Sequence, residues 1–364
     1  MPATVYFANT RVKTLDADGT LPAKFQRLLG KLDLKHWFGG KRTVVKMHVG
    51  GGMGYTTIHP LFVRLLVSAL KEAGAKPFLT DGSFSVAGAV ARGYTAEVLG
   101  APIIPAAGMH DKYFQAREVN YRGLKTVELC GNIVDAEAMV VLSHFKGHGH
   151  SAFGGAIKNL GMGAVTCRTR GAIHNVMDSE IRWHADKCRK CGKCIKNCPT
   201  GAAAFKKGKF EIFFHHCRFC KHCVIACPHD AIEFSNDNIT YFHEALAIAA
   251  RETIACFKPD HLLYVNVLMN ITPFCDCWGF STPSMVPDIG IMAATRIMPV
   301  EKAGLDAIDG RKFIPGCLPG HLKLAPNPRK HLFERVWGKD PYSQIIAGET
   351  VGLGRAGCKL QNVE

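Results

Sequence analysis

Short extended runs of apolar residues alternate along the chain with longer stretches of helical spacing. ATVYFAN (residues 3–9) and RTVVKMHVG (42–50) read as strands. The segment HPLFVRLLVSALKEAGA reads as a helix that Pro60 opens and Gly74 closes, and KPFLTDGS is the next strand. Strand, helix, strand at this spacing is a βαβ unit, so the pattern predicts a mostly parallel, helix-covered sheet of an α/β domain. APIIPAAG and EAMVVLSHF add further strands. After residue 234 the style resumes with a helix in FHEALAIAARETIACF, a strand in HLLYVNVLMNI and a short helix in PVEKAGLDAI. From about Phe313 the proline-dotted tail reads as loop.

The interruption has its own pattern. From Cys188 the chain reads CRKCGKCIKNCP and from Cys217 CRFCKHCVIACP, so C-x-x-C-x-x-C-x-x-x-C-P occurs twice. That spacing holds a cubane iron-sulfur cluster, and in two-cluster ferredoxins the fourth cysteine of each run ligates the other cluster. One 4Fe-4S cluster is expected on Cys188, Cys191, Cys194 and Cys227, the other on Cys217, Cys220, Cys223 and Cys198. Pro199 and Pro228 stop the local helix after each fourth ligand. Zinc is the alternative, but it seldom takes three cysteines at two-residue spacing followed by Cys-Pro. The expected organisation is a discontinuous α/β domain over residues 1–182 and 235–364, interrupted at 183–234 by a small α+β ferredoxin-like module.

The chain has 364 residues, 47% of them hydrophobic, enough for such a domain plus a module. No apolar run reaches the ~20 residues of a membrane-spanning helix, and the N-terminus lacks a secretory pattern, so a soluble cytoplasmic protein is expected. Eight of the 15 cysteines fall in cluster spacing, which favours metal ligation over a disulfide framework and suggests a reducing, anaerobic interior. The net charge of +15 concentrates in the module, where residues 187–228 carry ten Lys or Arg against one acid, Glu211. A cubane with four thiolates carries about two negative charges oxidised and about three reduced, so these cations ease electron uptake. Uncovered basic charge would draw an acidic electron donor such as ferredoxin or flavodoxin. No helix-turn-helix, zinc-finger or aromatic RNA-binding signature accompanies the charge, which disfavours nucleic acid as a partner.

Outside the module, MVVLSHFKGHGHSAFGGAIKNLGMG leads from a strand end into a polar loop. Open α/β sheets bind ligands there. His144, Lys146 and His148 are the leading catalytic candidates. Lys158 and Asn159, with Gly154, Gly155 and Gly161, are read as a loop whose backbone N–H groups could cradle an anion. Lys46 and His48, before the glycines of VGGGMG, and Asp81 at another strand end are second-line candidates. No dinucleotide fingerprint or Walker loop occurs. Cys275 and Cys277, in CDCWG, could be redox thiols, ligands of a soft metal or buried structural cysteines.

HFKGH, FGGAIKNLGMG, CDCWG and VPDIGIMA, together with the two-cluster run, resemble the domain of unknown function 362 family from VKMH to about residue 310. The resemblance implies an α/β protein with a bacterial-type ferredoxin insert that binds iron-sulfur clusters, and it implies little about substrate. Similar members continue after DIGI with an Asp-Pro-Val-Ala-Ile-Asp type stretch, whereas this chain has MAATRIMPVEKAGLDAI, with Arg296 and Glu301.

The expected function is an iron-sulfur oxidoreductase that passes electrons from a low-potential donor to an anionic small-molecule substrate or cofactor in the α/β domain. Lys146 and Lys158 would anchor the anion, and His144 or His148 would supply protons. A flavin has room only at the glycine loops. A non-catalytic electron-transfer subunit and a metal- or cofactor-handling protein are the alternatives, and assembly as a homo-oligomer is open.

Overall fold

The computed structural model describes residues 3–178, 181–198, 200–213, 216–217, 221–234, 238–279, 281–318 and 323–364. Pro199 and Cys220 of the cysteine runs lie outside the described residues.

One sheet holds β1 (Ala3–Asn9), β2 (Arg42–Met47), β3 (Lys76–Asp81), β4 (Ile103–Pro105), β5 (Ala138–His144), β6 (Leu262–Leu268), β7 (Gly290–Ala294) and β8 (Cys358–Val363). Their spatial order is β8-β1-β7-β6-β5-β2-β3-β4. β5 lies parallel to both β6 and β2, and β3 and β4 continue in parallel. Only β7 is reversed, antiparallel to β1 and β6, while β8 runs parallel to β1. The protein is therefore mixed α/β with a large, mostly parallel central sheet.

Side chains of successive residues leave opposite faces of a strand. Val44, Met139, Val141 and Tyr264 enter one core, and Val45, Met47, Val140, Leu142 and Val265 enter the other. Both faces are covered, which is why AMVVLSH is buried at every position and AMVVL reads as an unbroken apolar run. Parity also puts Lys46 on the face of Val44, fully buried.

The helix α1 (Pro60–Glu72) forms where expected and buries Phe62, Val63, Leu66, Val67 and Leu70. Next come α2 (Ala156–Gly163) and α3 (Cys167–Asp178), then α4 (Asn238–Ile254), α5 (Ile297–Asp309) and α6 (Tyr342–Thr350). Two of these depart from the sequence reading. KNLGMG was read as loop, yet it lies in α2, because Gly161 lets α2 approach α4 closely: a Cβ there would meet the Leu246 carbonyl oxygen at 2.5 Å. The tail was read as loop, yet it carries α6 and braces the polar hairpin of Lys146–His148 and Ala152–Gly154. Lys339 Nζ donates to the Gly149 carbonyl, and Gln344 Nε2 donates to the Ser151 carbonyl at 3.1 Å.

The strands flanking the cysteine segment, Ile181–Trp183 and Ile232–Phe234, pair antiparallel, and within it Ala203–Lys206 pairs with Lys209–Ile212. Cys194, Ala203, Phe210 and Ile232 form a small core of their own. Ala202 and Cys217 instead belong to the main core, with Cys198, Ile212 and Val224 packed against it. No helix among the described residues is long and apolar enough to cross a membrane.

Candidate active site

A cavity of about 190 Å³ opens at the carboxyl ends of β2, β3 and β5, lined also by Met162 and Gly163 of α2, Arg170 and His174 of α3, and Cys277. Most of the sequence candidates meet here: Lys46, His48, Asp81, His144, Lys146, His148, Gly154, Gly155, Lys158, Asn159 and Cys277 line it.

Lys46 Nζ donates to Asp81 Oδ1 at 3.0 Å, Asn159 Oδ1 at 2.9 Å and the Met47 carbonyl at 3.1 Å. An ammonium has three protons, and three acceptors meet them. Burial works against the Asp81 carboxylate, but Lys46 and His48 outweigh it and hold its pKa well below the ordinary value. His48 Nδ1 lies 2.7 Å from Asp81 Oδ2, so an Nδ1–H donates to the carboxylate, and His48 Nε2 is left without a hydrogen-bond partner among the described residues. The result is a carboxylate–imidazole pair with one ring nitrogen available.

His144 differs. Its Nδ1 lies 2.8 Å from Asp276 Oδ2, and its Nε2 lies 2.9 Å from the Met269 carbonyl and 3.1 Å from that of Asn270. Both nitrogens face acceptors, so neither is directed at a ligand. Lys146 Nζ is 3.2 Å from the same Asp276 carboxylate and donates to the His144 carbonyl. Burial opposes the Asp276 charge, yet His144 and Lys146 hold its pKa low.

Lys158 Nζ donates to Cys275 Sγ at 3.2 Å, and the Cys277 backbone N–H donates to the same sulfur at 3.3 Å. Against the cost of burial, the Cys277 thiol, Lys158 and His148 pull the Cys275 pKa well below the ordinary thiol value, while hydrogen bonding to Cys275 pushes that of Cys277 up. His148 Nδ1 accepts from the N–H groups of His150 and Ser151, both at 3.0 Å, so in the neutral ring the proton sits on Nε2, toward the sulfurs. Burial, then Lys158, lowers its pKa to about 4. His148, Cys275 and Cys277 present donor atoms within 4.8 Å of one another, a spacing that could hold a metal ion.

These contacts revise the anion-anchor expectation. Lys46, Lys146 and Lys158 each face an internal anion, on Asp81, Asp276 and Cys275 respectively. Arg170, which the sequence reading missed, lines the cavity with a buried Nε that has no hydrogen-bond partner among the described residues, while its Nη2 donates to Cys167 Sγ at 2.8 Å. The glycine loop is also not an open anion cradle. Glu301 already accepts from the first N–H groups of α2, at Ala156 (2.7 Å) and Ile157 (3.1 Å), and a Cβ on Gly155 would meet its carboxylate at 2.3 Å. Gly161 serves the helix contact described above. In VGGGMG, Met53 N donates to the Gly279 carbonyl at 2.8 Å, and a Cβ on Gly52, whose φ is +44°, would meet that oxygen at 2.6 Å. Those glycines let the loop lie against the turn after Cys277.

In the cysteine segment, Cys188, Cys191, Cys194 and Cys227 line one small pocket with Trp183, Phe205 and Phe210. The donor set draws three thiols from the first run and one from the second. Cys217 belongs to the main core, Cys198 packs against both cores, and Cys223 lies beside the small core. Here the cysteine segment meets the turn that follows the cavity-lining Cys277. The His216 ring, one residue before Cys217, stacks on Trp278, one residue after Cys277, with centroids 4.8 Å apart and planes 1° from parallel. Phe213 meets Trp278 edge-on at 5.7 Å. Trp278 falls within the CDCWG motif but was given no role there, and no sequence signal had marked His216.

Fold and site thus define a mixed α/β protein with a strand-end cavity built from ion-paired lysines, a carboxylate–imidazole pair and two thiols, joined to a cysteine-rich segment. The chain belongs to the family described as Domain of unknown function (DUF362), which matches residues 43–306 and so spans the cavity and both cysteine runs. Among solved structures it is similar to the lactate racemase apoprotein of Thermoanaerobacterium thermosaccharolyticum, at 12% identity and a TM-score of 0.35, covering 67% of this chain and 49% of that one. A Thermotoga maritima protein solved by a structural genomics consortium is similar at 12% identity and a TM-score of 0.36, covering 70% of this chain and 52% of that one. The chain thus spans about half the length of each. No curated protein matches.

Proposed function

We propose that the chain is an iron-sulfur oxidoreductase of the reductase type, in which an acidic low-potential donor docks on the basic module and the strand-end cavity holds a small anionic acceptor. Bound 4Fe-4S clusters would supply single electrons at low potential. The gathering of Cys188, Cys191, Cys194 and Cys227 round one pocket fits the first cluster, and Cys217, Cys223, Cys198 and Cys220 are the proposed ligands of the second. The observation that carries the reading is the His216–Trp278 stack, which joins the cysteine segment to the residue next to the cavity-lining Cys277.

In the cavity Arg170 would receive the anion, with a forked donor suited to carboxylate or phosphate. His48, oriented by Asp81, would hold and deliver the proton from Nε2. His144 and Lys146 would position the Cys275–Cys277 loop through Asp276. At about 190 Å³ the cavity is smaller than the roughly 300–1,000 Å³ of drug-sized ligand sites, which favours a small anion over a flavin.

The test is anaerobic. Reconstituted, dithionite-reduced protein is mixed with small carboxylates, phosphate esters and oxoanions while the visible cluster absorbance is followed. The reading predicts an acceptor that reoxidises the wild type and that His48→Asn slows about 100-fold, with Arg170→Gln weakening its binding. Equal reoxidation rates in wild type and both variants for every acceptor would overturn it.

A further inference from the structure

We propose that Cys275 and Cys277 form a dithiol–disulfide couple in the cavity wall that stores two electrons between one-electron iron-sulfur centres and the bound acceptor. The inference rests on the iron-sulfur reading above and gives the thiol pair a role of its own.

The two sulfurs belong to residues two apart, and their Sγ atoms lie within 4.8 Å of each other. Cys275 is buried at the start of the turn Asp276–Trp278, while Cys277 faces the cavity. Two residues of chain span at most about 7 Å. A turn brings the Cα atoms into the roughly 4.4–6.8 Å range that a disulfide bridges. Cys277, on the open side, is the residue able to swing.

The surroundings distinguish the two sulfurs. Cys275 faces the Lys158 ammonium, the Cys277 N–H and the Nε2–H of His148, the setting of a thiolate. Cys277 keeps its proton beside that thiolate. The ring argues for this use over metal binding. A metal-bound histidine normally donates its other N–H to a carbonyl or carboxylate. In His148 that other nitrogen accepts from two backbone N–H groups, which leaves the proton on the nitrogen a metal would need.

The step balances as follows. Two electrons, one from each of two reduced iron-sulfur centres, break the Cys275–Cys277 S–S bond; one proton goes to Cys277 Sγ, and Cys275 Sγ remains a thiolate against Lys158. In the reverse sense the pair returns two electrons and one proton to the acceptor as the S–S bond re-forms. Trp278, contiguous with Cys277 and stacked on His216 beside Cys217, lies between the pair and the module.

The experiment uses the full chain, anaerobically reconstituted and then oxidised with oxidised glutathione. Free thiols are alkylated and the peptide carrying both cysteines is weighed; in parallel the oxidised protein is titrated coulometrically. The proposal predicts that this peptide escapes alkylation and is lighter by one pair of hydrogens. It also predicts that the wild type takes up about four electrons per chain and Cys277→Ser about two, with the same cluster spectrum. Equal electron counts, or both thiols alkylated after oxidation, would overturn it. So would one tightly held zinc or nickel ion per chain that Cys277→Ser loses. Should reconstitution yield no clusters, the function proposed above fails, and the peptide mass alone decides on the thiol pair.

Discussion

Replacing Asp81 by Asn removes one charge from a buried pair without changing its shape. Lys46 Nζ lies 3.0 Å from Asp81 Oδ1, and the two side chains are 0% and 4% exposed. At an effective dielectric of about 20, unit charges at that distance attract by about 5.5 kcal/mol. Desolvation offsets much of this, but a buried partner left alone typically costs about 3–5 kcal/mol. In Asp81→Asn the amide keeps one oxygen for the Lys46 ammonium, which still bonds the Asn159 and Met47 oxygens but loses its buried counter-charge, and His48 Nδ1 faces an NH2 in place of the acceptor that orients it. With about 2.1 cal/mol/K of unfolding entropy per residue, a chain of this length shifts by roughly 1.3 °C per kcal/mol, so Tm should fall by about 5 °C. Calorimetry on the wild type, Asp81→Asn, Lys46→Met and the double variant measures it. The double variant, with neither charge buried, should be more stable than the summed single losses predict by about 2–3 kcal/mol. Single losses below about 1 kcal/mol, or strict additivity, would refute the claim that the two charges hold each other in the cavity lining.

Acid should destabilise the fold well above the carboxylate range. His148 and His174 are lowered by burial to about 4 and His243 to about 3, so below the unfolded value of 6.5 the unfolded chain takes up protons that the native chain refuses. Their contribution is complete above pH 6.5 and is lost as pH falls toward 4. Glu301, pushed up by burial to about 7, acts in the opposite sense between 4.5 and 7. Three histidines against one carboxyl give a net loss of roughly 3 kcal/mol per pH unit in mid-window, read from urea midpoints, and a flat profile would contradict it. Gly161→Ala should cost about 1–3 kcal/mol, because the new Cβ meets the Leu246 carbonyl oxygen at 2.5 Å; an unchanged Tm would show that α2 and α4 can part freely. Trp278→Ala should speed amide exchange at Phe213 and His216, which lose their ring contacts, and leave β2 and β5 protected; unchanged exchange would remove the stack as the docking contact.

The parallel sheet was legible because β2, β5 and β6 are buried on both faces and so read as apolar runs. β7 and β8 were not, being short or partly exposed: GIMAA offers five residues, and CKLQNV, half polar, is mostly exposed at the sheet edge. The cavity's strand-end residues were legible for the same topological reason. Their roles were not, since spacing cannot say that His144 spends both nitrogens on acceptors while His48 keeps one. Lys158 looked like an anion anchor because Cys275, 117 positions away in sequence, is its partner only in the fold. Glu301 was visible as a departure from the family pattern, but its place at the start of α2 depends on how α5 packs.

The most direct measurement is metal analysis joined to electron paramagnetic resonance on the anaerobically reconstituted, dithionite-reduced chain. The account predicts about eight iron and eight sulfide per chain and two reduced 4Fe-4S centres close enough to broaden each other's signals, with Cys188→Ser disrupting one of them. A chain that instead takes up zinc at its paired cysteine runs, holds no sulfide and gives no signal on reduction would contradict it.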